Sequence, residues 1–140
     1  MSLWKKYADL SSMNRDMPRH LFHHLGMEFT ELGEDYLRGT MPVDERTRQP
    51  MGLLHGGASV ALAESLGSIA GHLACDDNHY TVGLEINANH LKSVTSGKVT
   101  GTARPIHVGR STQVWEIRIE NDQGQMVCIS RITLAVKTMT

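Results

Sequence analysis

Two features of the stretch QPMGLLHGGASVALAESLGSIAGHLA, Gln49 to Ala74, can do chemistry: a single carboxylate, Glu64, among small and apolar residues, and the start His55-Gly56-Gly57. A helix from Gly56 to Leu73 puts Ala61 three residues before Glu64 and Ser68 four after it, with Gly57 and Gly71 seven away on either side. That face is nearly bare of bulk. A backbone, a second helix or a flat ligand can approach it closely, with Glu64 and Ser68 as the polar groups that meet the visitor. A buried carboxylate is costly unless it is paired or used. Glu64 therefore reads either as a side chain bonded to a neighbouring Arg or amide, or as a group kept for reaction.

The first amides of a helix have no intrahelical acceptor and carry the positive end of its dipole. Two glycines leave those amides uncovered, so the terminus can hold a carboxylate, a phosphate or the oxyanion of a carbonyl under attack. The plainer alternative is a tight turn that simply needs glycine. His55 can orient a substrate carbonyl or be bonded within its own loop. Gly56 and Glu64 are eight residues apart, about 12 Å along one helix, further than a Glu side chain can close. If both act on one carbonyl, they come from two copies of the chain and the active unit is a dimer.

Composition bounds the setting for these groups. The chain has 140 residues, 40% apolar and 21% charged, with a formal net charge of −1. That is ordinary globular usage for a single domain over 1–140, without the basic footprint of a nucleic-acid binder. Cys75 and Cys128 have no C-x-x-C spacing and suggest neither a disulfide framework nor a thiolate metal site, so a soluble protein of the reducing cytoplasm is expected. The start MSLWKKYADL lacks an apolar signal region, and no run approaches a membrane span.

The elements that must position the chemistry follow from periodicity. Leu3, Tyr7 and Leu10 give a weak helical pattern, and a break at Met17-Pro18 starts a second short helix. Met27 to Val43 reads as a hairpin around GED, with Gly33 supplying positive φ. Beyond the central helix, Tyr80–Leu91, Lys98–Val108, Ser111–Glu120 and Gln125–Lys137 read as strands, with Val82, Leu84, Ile86 and Ala88 on one face of the first. Five or six strands joined by short turns predict an antiparallel sheet, and a helix apolar nearly all round must be wrapped by it, an α+β fold. His20, His23 and His24 have a spacing that can bind metal, but no carboxylate is close in sequence, and a partly exposed cap is the expectation. Trp4 and Trp115 read as packing residues.

Three stretches together, MPVDERTRQPMGLLHGGASVALAESLGSIAG, VGLEINANHLKS and PIHVGRSTQVWEI, resemble the hotdog-fold acyl-CoA thioesterases. The similarity runs from Leu3 to Val136. It is strongest to the bacterial branch that holds the dihydroxynaphthoyl-CoA hydrolase of menaquinone synthesis and the proofreading thioesterase of enterobactin synthesis. The resemblance implies a curved antiparallel sheet wrapped round the long helix, dimers with a continuous sheet, and homotetramers. It implies Glu64 as nucleophile or general base, the Gly56 amide as oxyanion hole, Gln49 and His55 as groups that position the thioester, and Ser68 as a polar neighbour. Gly83, the run His90, Leu91, Lys92, Ser93, and the loop His107, Val108, Gly109, Arg110, Ser111, Thr112 match segments that line the CoA arm. Met51 and Ile69 fall near the acyl end; Met51 stands where relatives often carry Phe, and Lys92 where they often carry Arg.

The implied reaction is hydrolysis of an acyl-CoA, aromatic by resemblance, to free acid and CoA, with no metal or cofactor beyond the CoA of the substrate. A misloaded acyl carrier protein is the alternative substrate. A non-catalytic acyl-CoA sensor on the same fold is the rival from another class, and it would have no need of Glu64.

Overall fold

The computed structural model describes residues 2–15 and 20–140. The expected break at Met17-Pro18 lies outside the described residues. The order of elements is α1 (Leu10–Arg15), α2 (Leu21–His24), β1 (Glu28–Leu32), β2 (Leu37–Pro42), α3 (Gly56–Ala74), β3 (His79–His90), β4 (Lys98–Val108), β5 (Thr112–Glu120) and β6 (Met126–Thr138). The six strands form one antiparallel sheet in the order β1-β2-β4-β5-β6-β3, so β1 and β3 are its edges.

Helix α3 packs against β2, β3, β4, β5 and β6. Its sheet side buries Leu62, Ala63, Leu66 and Ala70 completely against Trp115, Ile117, Ile119, Ile132 and Leu134. Each fully buried Leu or Ile contributes roughly 1.5–3 kcal/mol by leaving water. The glycines explain how close helix and sheet lie: a methyl group at Gly67 would stand 2.7 Å from Ile132 Cγ2, and one at Gly101 2.6 Å from Leu66 Cδ1. Part of the small-residue composition of α3 thus serves the sheet contact and not the face of Glu64.

Three expectations are corrected. Leu3 and Tyr7 are not helical, and Tyr7 is exposed. The segment before α1 is instead a strap across the end of α3, because Lys5 and Lys6 N–H donate to the Leu73 carbonyl at 2.8 and 3.2 Å. Lys6 Nζ lies 2.7–2.9 Å from the carbonyls of His72, Cys75, Asp76 and His79. Trp4 completes the strap: its indole N–H donates to the Gly33 carbonyl at 2.6 Å, and its ring stacks on Trp115 at 6.0 Å.

The second correction is Gly33, which is not among the positive-φ glycines; those are Gly26, Gly52, Gly97 and Gly124. The hairpin turn closes through Gly33 N–H to the Tyr36 carbonyl, and Tyr36 packs on Gly33 so closely that a side chain there has no room. The third is β3. Its pairing with β6 shifts between Gly83 and Glu85, a bulge that reverses which residues face the helix. Ile86 and Ala88 pack on the core, whereas Val82 and Leu84 are exposed, so the four do not share a face.

Candidate active site

The chemistry at the start of α3 depends on the loop that delivers it. Gln49 N–H donates to the Leu53 carbonyl at 2.8 Å and Gly52 N–H to the Gln49 carbonyl at 2.9 Å, a turn that puts Gly52 at φ 85. The chain then reaches His55, the N-cap, whose Nδ1 accepts the Gly57 N–H at 2.8 Å. The Ala58 and Ser59 amides return to the His55 carbonyl. Gly56 N–H has no acceptor among the described residues. It is left bare at the positive end of a 19-residue helix.

A Cβ at Gly56 would lie 2.9 Å from His90 Nε2, so Gly56 has a steric reason to be glycine. Gln49, His90, Leu91, Lys92 and Ser93 flank Gly56 around a recess of about 360 Å³. Gln49 Oε1 is held by the Met51 N–H at 2.5 Å, and Met51 itself is 83% exposed on the loop, outside that recess.

Glu64 belongs to a second recess, of about 370 Å³, on the outward face of α3. Ala61 and Ser68 share this face with it, as the helical spacing predicts, and Ser65 and Ile69 border the same recess. Gly57 and Gly71 do not. Gly57 is held by His55, and Gly71 abuts Leu134 and Gln113 of the sheet. The carboxylate is exposed, which corrects the expectation of burial, and among the described residues it has no hydrogen-bond or ion-pair partner. Gly83 of β3 stands beside it: a Cβ there would be 3.4 Å from Glu64 Oε2.

The loop from His107 to Thr112 forms a third group. Gly109 N–H donates to the Thr112 carbonyl at 2.9 Å, and a Cβ at Gly109 would meet His107 Nε2 at 2.5 Å. Ser111 is bound through its carbonyl, which accepts the Val136 N–H. Val108, Gly109 and Arg110 line a recess with Lys5, Asp76 and His79 near the last turn of α3. There the His79 ring, 2.6 Å from Asp76 Oδ1, holds that carboxyl below the usual range. Within one chain the expected site residues are therefore spread in three groups along α3, which is about 27 Å long.

The sequence offers His20 as a metal ligand or part of a cap, not as part of the far wall of the Glu64 recess. That wall is made by His20, Leu21 and Phe22, with Phe29 beneath. One signal was available: the chain has only 2 Phe, and these two rings stack at 4.5 Å under the recess. Among the described residues, no helix is long and apolar enough to cross a membrane.

Comparison with known proteins now adds to this geometry. A family model described as the thioesterase superfamily matches residues 51–128. The chain is 51% identical to the proofreading thioesterase EntH of Cronobacter turicensis, over 96% of this chain and 98% of that one. It is 47% identical to the 1,4-dihydroxy-2-naphthoyl-CoA hydrolase of Escherichia coli K12, again over 96% and 98%. Among solved structures, a thioesterase of Haemophilus influenzae superposes with a TM-score of 0.96 at 50% identity, covering 98% of this chain and 96% of that one. With the six-stranded antiparallel sheet and its central helix, these matches establish a hotdog-fold thioester hydrolase: the chain belongs to the thioesterase superfamily.

Proposed function

We propose that the protein hydrolyses aromatic acyl-CoA thioesters to the free acid and CoA at a site shared by two copies of the chain. One observation carries this reading. Among the described residues Gly56 offers a bare amide and Glu64 an unpartnered carboxylate, yet both stand on one continuous helix in separate recesses. They are about 12 Å apart along the axis. One copy cannot bring both to the same carbon.

In the proposed assembly the Gly56 amide of one chain donates to the thioester oxygen, and Glu64 of the other acts on the carbonyl carbon. Glu64 does so either as nucleophile or as the base that takes a proton from water. As base, Glu64 takes a proton from water, the hydroxide adds to the carbonyl carbon, the carbon–sulfur bond breaks and the thiolate leaves as CoA, with the proton returned to it. As nucleophile, Glu64 itself displaces the thiolate to form an anhydride, which water then splits to the free acid and Glu64. Thiolate is a good leaving group, so one carboxylate suffices. Gln49 and His55 hold the thioester, and Ser68 borders the attacked carbon. No metal or further cofactor enters these steps. Edge strand β3 supports the pairing: it runs for 12 residues, exposes Val82 and Leu84, and carries Gly83 beside Glu64. A free edge of that length is a template for a second copy. Lys92, His90 and the Gly109-Arg110 turn are assigned to the CoA arm, with cations for its phosphates, and two dimers to a tetramer.

The aromatic preference is supported by the stacked Phe22–Phe29 floor and by the substrate in the name of the Escherichia coli relative. The name of the Cronobacter relative, a proofreading thioesterase, supports thioester hydrolysis, and a misloaded carrier protein is the alternative substrate. Mixed dimers test the shared site. Gly56→Pro and Glu64→Gln chains, each inactive in thiol release from benzoyl-CoA, should regain activity when combined, since one of the two sites in a mixed dimer is intact. No recovery in verified mixed dimers overturns the arrangement. Presenting one aryl group on CoA and on a carrier protein's phosphopantetheine arm separates the two substrates.

A further inference from the structure

The recess at the end of α3, of about 290 Å³, has a side that the proposed chemistry does not use. The N-terminal strap supplies Lys5 to it, opposite Arg110 of the turn between β4 and β5, with His79 at the start of β3. The two adjacent lysines of the strap are spent differently. Lys6 gives its ammonium to backbone carbonyls of its own chain, whereas Lys5 is exposed. Neither Lys5 nor Arg110 forms an ion pair among the described residues.

Among the described residues, one carboxylate lines the recess, Asp76, and it is already engaged. The His79 ring is 2.6 Å from its Oδ1, and the Asn78 N–H donates to the same oxygen at 2.9 Å. These two contacts first, and the Lys5 charge after them, hold the Asp76 carboxyl below its usual range, so the ammonium stands within electrostatic reach of the recess. Two free cations beside a carboxylate that already has its partners favour an anion of high charge.

Two elements measure the distance from this recess to the reacting carbon. Along α3, Glu64 and Ala74 are about 15 Å apart. Strand β3 turns back from the recess at His79 and reaches Gly83, beside Glu64, after about 13 Å. The pantetheine arm of a thioester spans roughly 16 Å from its sulfur to its first phosphate when extended, at ordinary amide and C–C bond lengths. A thioester held at Glu64 therefore delivers that phosphate to the recess if its arm follows the seam between α3 and β3. Gly83 leaves the start of that seam bare, since a Cβ there would stand 3.4 Å from Glu64 Oε2.

We infer that Lys5 is a further substrate-binding residue: with Arg110, its ammonium holds the phosphate at the end of the pantetheine arm, which runs along the α3–β3 seam of the chain that supplies Glu64. This rests on the reading of Glu64 given above. It goes beyond that reading by fixing the course of the arm and by giving the N-terminal strap, outside the matched residues 51–128, a part in binding. The diphosphate of CoA and the phosphodiester of a loaded carrier protein share this chemistry.

The test is steady-state thiol release by the full chain, in its native assembly, from benzoyl-CoA, a benzoyl-loaded carrier protein and benzoyl-pantetheine, which has no phosphate. Lys5→Ala should raise KM for benzoyl-CoA about tenfold with kcat unchanged, the lower end for a hydrogen bond to a charged group. Lys5→Arg, which keeps the charge, should restore most of that loss. Both variants keep the Lys5 N–H bond to Leu73, so the strap stays in place. An effect on benzoyl-CoA alone assigns the recess to the CoA diphosphate, and an equal effect on the carrier assigns it to the phosphate that both carry. An unchanged KM for benzoyl-CoA overturns the inference, and so does an equal loss on benzoyl-pantetheine, which marks a packing role. Calorimetric binding of free CoA to Glu64→Gln chains keeps the two readings apart. Lys5→Ala should weaken it about tenfold in that background too. Unchanged binding sinks this inference alone, whereas wild-type turnover in Glu64→Gln sinks the proposed catalytic role.

Discussion

The two ends of α3 are finished in opposite ways. At its last turn the strap takes two carbonyls of the helix: Lys6 Nζ donates to His72 and to the carbonyls of Cys75, Asp76 and His79 just beyond the helix end, and the Lys5 and Lys6 amides close on Leu73. At its first turn only Gly57 receives a side-chain acceptor, and Gly56 N–H stays bare beside His90. The same orphaned backbone groups are satisfied where the helix is held and left open where a ligand is to be bound. Leaving a donor free has a cost in stability, and the sealed end offsets it.

Four experiments break or sharpen that contrast. The largest effect is expected at neither end but between them: Glu64→Gln should lower kcat on aryl-CoA by at least about a thousandfold with an unchanged melting temperature, read by thiol release and calorimetry. Gly56→Ala comes next, at about a hundredfold in kcat, because its methyl meets His90 Nε2 at 2.9 Å and displaces what surrounds the amide. Retention of full activity in that variant would show that the open end is not where the carbonyl oxygen sits. At the sealed end the loss should be in stability. Lys6→Met should cost about 2 kcal/mol, or roughly 6 °C in Tm, while kcat/KM at 25 °C stays at the wild-type value. A loss of activity without a fall in Tm would erase the division of labour.

The smallest effect concerns His72, in the last turn of α3, where burial and then the Lys6 charge hold its ring below the usual histidine range. A base with a depressed folded pKa stays neutral in the native state while the unfolded chain takes up protons. Its stabilising share is therefore intact above about pH 6.5 and is lost as the pH falls below that value. Tm measured from pH 8 to 5 should drop less steeply in His72→Gln than in the wild type.

The strands themselves could be anticipated, since β5 and β6 are rich in β-branched residues and the turns before β4 and β6 carry Gly97 and Gly124, both at positive φ. The bulge at Gly83–Glu85 could not, because Val82, Leu84, Ile86 and Ala88 alternate as if the strand were regular. Pairing with β6 decides the register, and pairing is non-local. The strap was hidden for a similar reason: Leu3 and Tyr7 have helical spacing, but the partners of Lys6 are carbonyls some 70 residues away in the chain, its contact with Asp76 among them.

Sequence alone determined the helix, its open start, and the spacing that forbids Gly56 and Glu64 from meeting within one chain, because helical rise and hydrogen-bond deficit are local properties of the backbone. Tertiary structure decided which glycines serve the sheet and which the ligand face, and it brought His20, Phe22 and Phe29 to the recess of Glu64. Side chains so far apart in sequence come together only when the sheet closes on its helix. No periodicity in either segment encodes that closure.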